Sequence, residues 1–188
     1  MSVGMVFCEN EDLLITMLVN RKEIYRGRIV QLIVDTVRIK GKNYIREVVK
    51  HPGGVVVMAQ LESDQILFVR QSRYPMDKVL LELPAGKLDA GEEPEVCAAR
   101  ELEEETGYRP KSLEHIFSYY PTPGFCDELL HLYFASQVTP AVLKLEPDED
   151  ILVEPYYLEE AFEMIRNGEI VDGKTLMALF WFDWRKGN

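Results

Sequence analysis

Cysteine is scarce in this 188-residue chain, and what there is does not pair. Cys8, Cys97 and Cys126 are odd in number and show no Cys-x-x-Cys spacing. That argues against a disulfide or zinc framework and reads as reduced thiols in a cytoplasmic protein. Positive charge is also short: 21 Lys and Arg stand against 32 Asp and Glu, a formal net charge of −11. Such a balance lacks the basic patch that nucleic acid or an anionic membrane surface requires, so neither is expected as a partner. No apolar run approaches the ~20 residues of a membrane span, and no basic stretch leads into an apolar one at the N-terminus. Neither a span nor a signal peptide is therefore expected. Internal repeats and low-complexity tracts are missing as well. The remaining composition, 47% apolar and 28% charged, is that of a folded domain with a real core and room for one extension.

The hydrophobic pattern divides the chain at about residue 51. Residues 13–49 read as strands: Leu14 to Val19, a polar break at Asn20-Arg21-Lys22, Ile29 to Ile39, a turn at Lys40 to Asn43, and Tyr44 to Val49. A sheet that small needs a second surface, from the downstream domain or another subunit. After His51-Pro52-Gly53-Gly54, strands are expected at 55–61, 65–70, 79–83, 113–120, 129–135 and 151–157, with helices at 94–106, 158–167 and 175–185. The fold class is α+β: a mixed sheet with helices on its faces, preceded by an antiparallel β extension over residues 1–51.

One stretch dominates, Gly86 to Tyr108 (GKLDAGEEPEVCAARELEEETGY). Pro94 suits a first helical turn, Glu92, Glu93 and Glu95 complement the dipole there, and Gly107 suits a left-handed cap. On that helix Glu101, Glu104 and Glu105 stand three and four apart, their roots roughly 5–6 Å from one another. Val96, Ala99 and Leu102 form another stripe, apolar enough to pack on a sheet. Three half-buried carboxylates repel by roughly 3 kcal/mol per pair at an effective dielectric near 20. A hard divalent cation, Mg²⁺ or Mn²⁺, removes that conflict. The bland alternative is a solvated acidic face, where each pair costs only a few tenths of a kcal/mol. The ordered Gly86, Arg100 and Gly107 around the acids favour the metal. Arg100 is the helix's only cation and can orient Glu92 or a metal-side carboxylate.

The run Gly86, Glu92, Arg100-Glu101-Leu102, Glu104-Glu105, Gly107-Tyr108 resembles the signature box of Nudix hydrolases, at every position of the motif. That resemblance implies an α/β/α sandwich and hydrolysis of a nucleoside diphosphate linked to another moiety. It also implies that the carbonyl of Ala85 joins Glu101, Glu104 and Glu105 as a metal ligand. Further runs, Arg46-Glu47, His51-Pro52-Gly53, Val69 to Tyr74, Glu82-x-Pro84-Ala85-Gly86 and Pro123-Gly124, resemble ADP-ribose pyrophosphatases. The resemblance then implies Mg²⁺-dependent cleavage of ADP-ribose to AMP and ribose 5-phosphate. It implies a homodimer that exchanges the N-terminal extension, and a base on the acidic loop 145–150, with Glu149 chosen before Glu146. GDP-mannose or another nucleotide sugar is the alternative substrate. A non-catalytic ligand-sensing module is a third reading, disfavoured because every box carboxylate is present.

Guanidinium groups grip phosphate bidentately, so Arg73, Arg46 and Arg70 are the candidates for the diphosphate, in that order. Glu82 and Glu128 are candidates for ribose hydroxyls or metal-bound water. Tyr25, Tyr44, Tyr74 and Phe125 are candidates to stack on the base. His51, His115 and His131 show no mutual spacing that suggests a site.

Overall fold

The computed structural model describes residues 16–145, 147 and 149–187. Those residues form two compact units, one holding the chain up to His51 with Gly124–Asp127, the other holding Pro52–Pro123 and Glu128 onward.

In the first unit, β1 (Met17–Arg26), β2 (Gln31–Ile39) and β3 (Lys42–Lys50) form an antiparallel sheet in that order. Lys40 and Gly41 join β2 to β3 with φ of 49° and 77°, a two-residue turn whose twist matches the strands. The polar break expected at Asn20-Arg21-Lys22 is absent; β1 runs through it. The reason is Asp35, buried on β2, which takes both arms of the Arg21 guanidinium at 2.8 and 2.7 Å. Register shifts between Leu18 and Asn20 and between Glu23 and Tyr25 absorb the irregularity. The segment Gly124–Asp127 pairs with the end of β3: the Val49 N–H donates to the Phe125 carbonyl at 2.8 Å. The Asp127 carboxylate accepts the His51 N–H at 2.9 Å and pairs with Lys50.

The second unit contains β4 (Gly54–Ala59), β5 (Ile66–Arg73), β6 (Lys78–Glu82), β7 (Ala85–Lys87), α1 (Pro94–Thr106), β8 (Tyr108–Pro110), β9 (Glu114–Tyr119), β10 (Leu130–Ala135), β11 (Val138–Pro140), β12 (Ile151–Tyr156), α2 (Leu158–Arg166) and α3 (Gly173–Lys186). A four-stranded sheet runs β7-β4-β10-β9, with β4 and β10 parallel and the outer pairs antiparallel. Beside it are an antiparallel sheet β12-β5-β6 and the short pair β11-β8. The three-residue strands β7, β8 and β11 were not expected from the sequence.

Every residue of β4 is buried, and its alternating faces serve two cores. Val56 and Met58 join Leu158, Ala161, Ala178, Leu179 and Phe182 of α2 and α3. Val55, Val57 and Ala59 join Cys97, Ala98 and Leu102 of α1. Side chains of this size stabilise by about 1.5–3 kcal/mol each when fully buried, so β4 ties both layers together. The result is the mixed sheet between helices that the sequence predicts.

The packed stripe of α1 differs from expectation. Leu102 is buried, but Val96 is 59% exposed. Cys97 and Ala98, one and two positions on, face the sheet instead. Val96 and Ala99 line an open depression of about 690 Å³ with Pro110, Leu113 and Tyr133. The C-terminal helix begins at Gly173 rather than Thr175, because Asp172 caps it: its carboxylate accepts the Thr175 N–H at 3.0 Å.

Candidate active site

The site is built where β7 meets α1. Pro94 opens the helix, and Gly107, at φ 71°, closes it with its N–H on the Glu103 carbonyl at 2.9 Å. This span places Glu105 inside, 3% exposed, with Glu101 beside it at 12% and Glu104 on the shoulder at 34%.

Each carboxylate has a distinct environment. The Ala85 N–H donates to Glu105 Oε2 at 3.0 Å, fixing the helix against the first residue of β7. Burial pushes the Glu105 carboxyl up to about 8, and the like charges of Glu101 and Glu149 add to it, against the Ala85 N–H and Arg73. Glu101 is also raised, first by burial and then, despite Arg100, by Glu104 and Glu149. Glu149 thus lies within electrostatic reach of both acids. Glu146, the other loop acid singled out from the sequence, lies outside the described residues.

Gly86 makes room for Glu101. A Cβ at Gly86 would lie 1.9 Å from the Glu101 carboxyl carbon and 2.1 and 2.3 Å from its oxygens. Only a residue without a side chain lets that carboxylate lie on the strand.

Arg100 knits the box together. Its Nε and Nη2 donate to the two oxygens of Glu92, both at 2.8 Å. Its Nη1 donates to Glu101 at 2.8 Å and to Glu104 at 2.9 Å. The Glu92 carboxyl is held down to about 2, chiefly by the Arg100 guanidinium, with burial opposing and the Asp89 N–H assisting. Its folded pKa lies below the ordinary 4.5, so its contribution is present above that value and lost as pH falls toward 2. Glu92→Gln is therefore expected to cost about 1.5–3 kcal/mol at neutral pH. Denaturant titrations across pH should show the deficit shrinking as pH drops from 4.5 toward 2. A constant deficit would mean the charge of Glu92 does no such work.

Among the described residues, no three His, Cys, Asp or Glu side chains converge as a finished metal cage. The donor set nevertheless fits a divalent cation. It is all carboxylate oxygen, it is recessed, a glycine-opened cradle seats one member, and burial plus mutual repulsion hold another near neutrality. Magnesium in particular needs only one or two carboxylates, because phosphate and water complete its shell.

Arg73, at the end of β5, donates Nε and Nη2 to Glu82 at 2.8 and 2.6 Å, and its charge reaches Glu105. Glu82 is 1% exposed and engaged by Arg73 and Lys174, so it stands behind Arg73 rather than facing a ligand, contrary to the role expected for it. Arg70 is bound bidentately by Glu154 of β12 at 3.0 and 2.8 Å, a strand-to-strand tie that occupies it. Glu128 is half-buried and its charge reaches Tyr119. Pro123 ends one stretch of the second unit, and Gly124 opens the segment that belongs to the first. Arg46, on β3 of the first unit, is exposed, donates to the Ile45 carbonyl at 2.9 Å and lies over the Tyr44 ring. Tyr25, Tyr44 and Phe125 are exposed in that same unit, and Tyr74 is 94% exposed after β5.

Sequence reasoning missed two groupings. His115 and His131 are joined through Ser118, at 3.0 and 2.8 Å, because the bulged β9–β10 register aligns them. Asp172, Lys174 and Thr175 at the start of α3 reach Glu82 and Leu83; the capping residue Asp172 was the readable signal for that helix start.

An acidic helix seated on a glycine-opened strand inside an α/β/α sandwich defines the class of metal-assisted phosphoanhydride hydrolases. The chain belongs to the Nudix family: the family's NUDIX domain model matches residues 50–179. Enzymes of this family use divalent metal ions. An ADP-ribose pyrophosphatase of Bacillus subtilis (strain 168) is 43% identical over 162 residues, 85% of this chain and 88% of that protein. A methanol dehydrogenase activator of Bacillus methanolicus is 42% identical over 164 residues, 86% of this chain and 89% of that protein. A solved structure of an ADP compounds hydrolase shares the fold, with a TM-score of 0.82 at 19% identity, covering 95% of this chain and 98% of that one. Among the described residues, no helix is long and apolar enough to cross a membrane.

Proposed function

We propose that this chain hydrolyses the diphosphate of ADP-ribose, giving AMP and ribose 5-phosphate. The observation that carries the reading is the placement of the three box acids: Glu101 over the Gly86 cradle, Glu105 on the Ala85 N–H, and Glu104 tied to Glu101 through Arg100. Similarity to an ADP-ribose pyrophosphatase supports the substrate. Similarity to a dehydrogenase activator is nearly as great, so the intact acid cluster, more than likeness, argues for hydrolysis.

Glu101, Glu104, Glu105 and the Ala85 carbonyl would hold Mg²⁺, or Mn²⁺ in its place. An ion held by them would supply polarisation of the attacking water and offset charge on the leaving phosphate. Glu149 accepts the proton of that water. Arg73 presents Nη1, which has no partner among the described residues, to a phosphate oxygen. Arg100 and Glu92 hold Glu101 and Glu104 in place. Arg46 and one of the exposed aromatics of the first unit are proposed to meet the nucleotide, as the resemblance implies.

The test is a panel of nucleoside diphosphate sugars with Mg²⁺ and product analysis. ADP-ribose should turn over fastest, with equal AMP and ribose 5-phosphate. Equal or better rates on GDP-mannose would move the substrate to guanosine sugars, and binding without hydrolysis would favour a sensing module.

We further propose a homodimer in which residues 1–51 are exchanged. All ten residues of β1 are exposed, including Leu18, Ile24 and Tyr25, and Ile45 of β3 is exposed as well. This much exposed apolar side chain on β1 and β3 calls for a covering surface. Sedimentation equilibrium should give twice the chain mass, and Ile24→Asp should shift it toward the monomer. A monomeric wild type at micromolar concentration would contradict this.

A further inference from the structure

The start of α3 is stitched to the end of β6 by a chain of charges and hydrogen bonds that the reaction as described does not use. Lys174 is 15% exposed at its side chain and binds one oxygen of Glu82, while contacting Asp172 Oδ1 at 3.0 Å. Asp172 Oδ2 accepts from the Thr175 hydroxyl at 2.6 Å and from its N–H at 3.0 Å. Thr175 Oγ1 in turn accepts the Leu83 N–H at 2.9 Å. Two residues on, the Ala85 N–H is held by Glu105, and the Pro84 carbonyl accepts the Val57 N–H at 2.9 Å. The run from Glu82 to Ala85 is thus pinned at each residue, from α3, β4 and α1.

Within this run the Glu82 carboxylate, 1% exposed, carries two cations at once. Arg73 alone would neutralise it. Lys174 is also paired with Asp172, so two acids and two cations balance, and that pairing offsets the cost of burying an ammonium. Beyond charge, Lys174 adds a geometric restraint. Arg73 already holds both oxygens of Glu82, through Nε and Nη2, and Lys174 ties one of those oxygens to α3, so the pair cannot shift as a unit without breaking a bond. The guanidinium plane of Arg73 is thereby held, and among the described residues Nη1 is its nitrogen with no hydrogen-bond partner.

We propose that Lys174 is a positioning residue for substrate: acting through Glu82, it fixes the Arg73 guanidinium so that Nη1 is presented to the diphosphate. This rests on the proposed function above. Lys174 itself touches no substrate atom. Its removal should weaken the grip of Arg73 in ground state and transition state alike, so the loss falls on KM.

Three variants test this in steady-state kinetics with ADP-ribose and Mg²⁺, with thermal melting alongside. Lys174→Met should raise KM about tenfold, the size typical of a lost supporting contact, with kcat changed far less. Glu82 keeps Arg73 in that variant, so the fold is expected to persist. Lys174→Arg should restore KM most of the way. In an Arg73→Lys background, which already lacks the guanidinium but leaves Glu82 a cation, adding Lys174→Met should leave KM unchanged. An unaltered KM in Lys174→Met, failure of Lys174→Arg to rescue, or the same fold-loss in both backgrounds would each overturn the proposal. If the wild type shows no turnover, the proposed function fails instead; the same variants are then compared by calorimetric Kd for ADP-ribose, with the same pattern required.

Discussion

Gly86→Ala is expected to fold and melt like the wild type yet lose about a hundredfold in turnover, the scale of an ångström-sized misplacement of a reacting group. The backbone of Gly86 is not in the left-handed region, so alanine adopts it without strain. The three nearest atoms a Cβ would meet are the carboxyl carbon and oxygens of Glu101, at 1.9, 2.1 and 2.3 Å. They form the far end of a flexible side chain. That end can swing aside without moving β7, whose pairing with β4 stays intact. The damage is therefore confined to where one carboxylate sits. Melting temperature and kcat measured on the same preparation check this. Full activity would mean that the place of Glu101 on the strand is incidental.

Glu105→Gln is expected to remove most turnover while preserving the fold, for a different reason. Glu105 is 3% exposed, and burial already keeps its carboxyl protonated up to about 8. A glutamine is close in shape and charge to that neutral acid. Its side-chain carbonyl can still accept the Ala85 N–H that pins α1 to β7. What it cannot do is ionise to meet a cation. Structure and chemistry are separable at this position, and the pair of measurements that separates them is a melting curve and a rate at saturating Mg²⁺. Near wild-type hydrolysis by the variant would remove Glu105 from the ligand set.

Both variants lie on the part of the molecule most legible in its sequence. The helix from Pro94 to Thr106 carries its own punctuation, with Pro at its start and Gly107 after it. The acid spacing follows from helical geometry alone. Less was readable where contact depends on register between strands. Arg70 looked like a phosphate ligand, but its partner Glu154 lies 84 residues away, aligned only by the β5–β12 pairing. Glu82 looked available until Lys174, 92 residues on, was brought to it. His115 and His131 seemed unrelated because a bulge in β9–β10 sets their alignment. Helical spacing puts Val96, Ala99 and Leu102 on one stripe of α1, yet of these Leu102 alone is buried: Cys97 and Ala98 are small enough to pack against β4 instead, and Val96 is turned outward. β1 crossed its polar break because one buried acid on β2 needed Arg21.

The most direct measurement is Mn²⁺ uptake followed by electron paramagnetic resonance in wild type, Gly86→Ala and Glu105→Gln, at neutral pH with AMP present. Micromolar or tighter binding by the wild type, weakened at least tenfold in both variants while their melting temperatures hold, is the predicted result. Equal uptake by all three proteins would contradict it, since the ion would then be gathered somewhere other than the acidic face of α1.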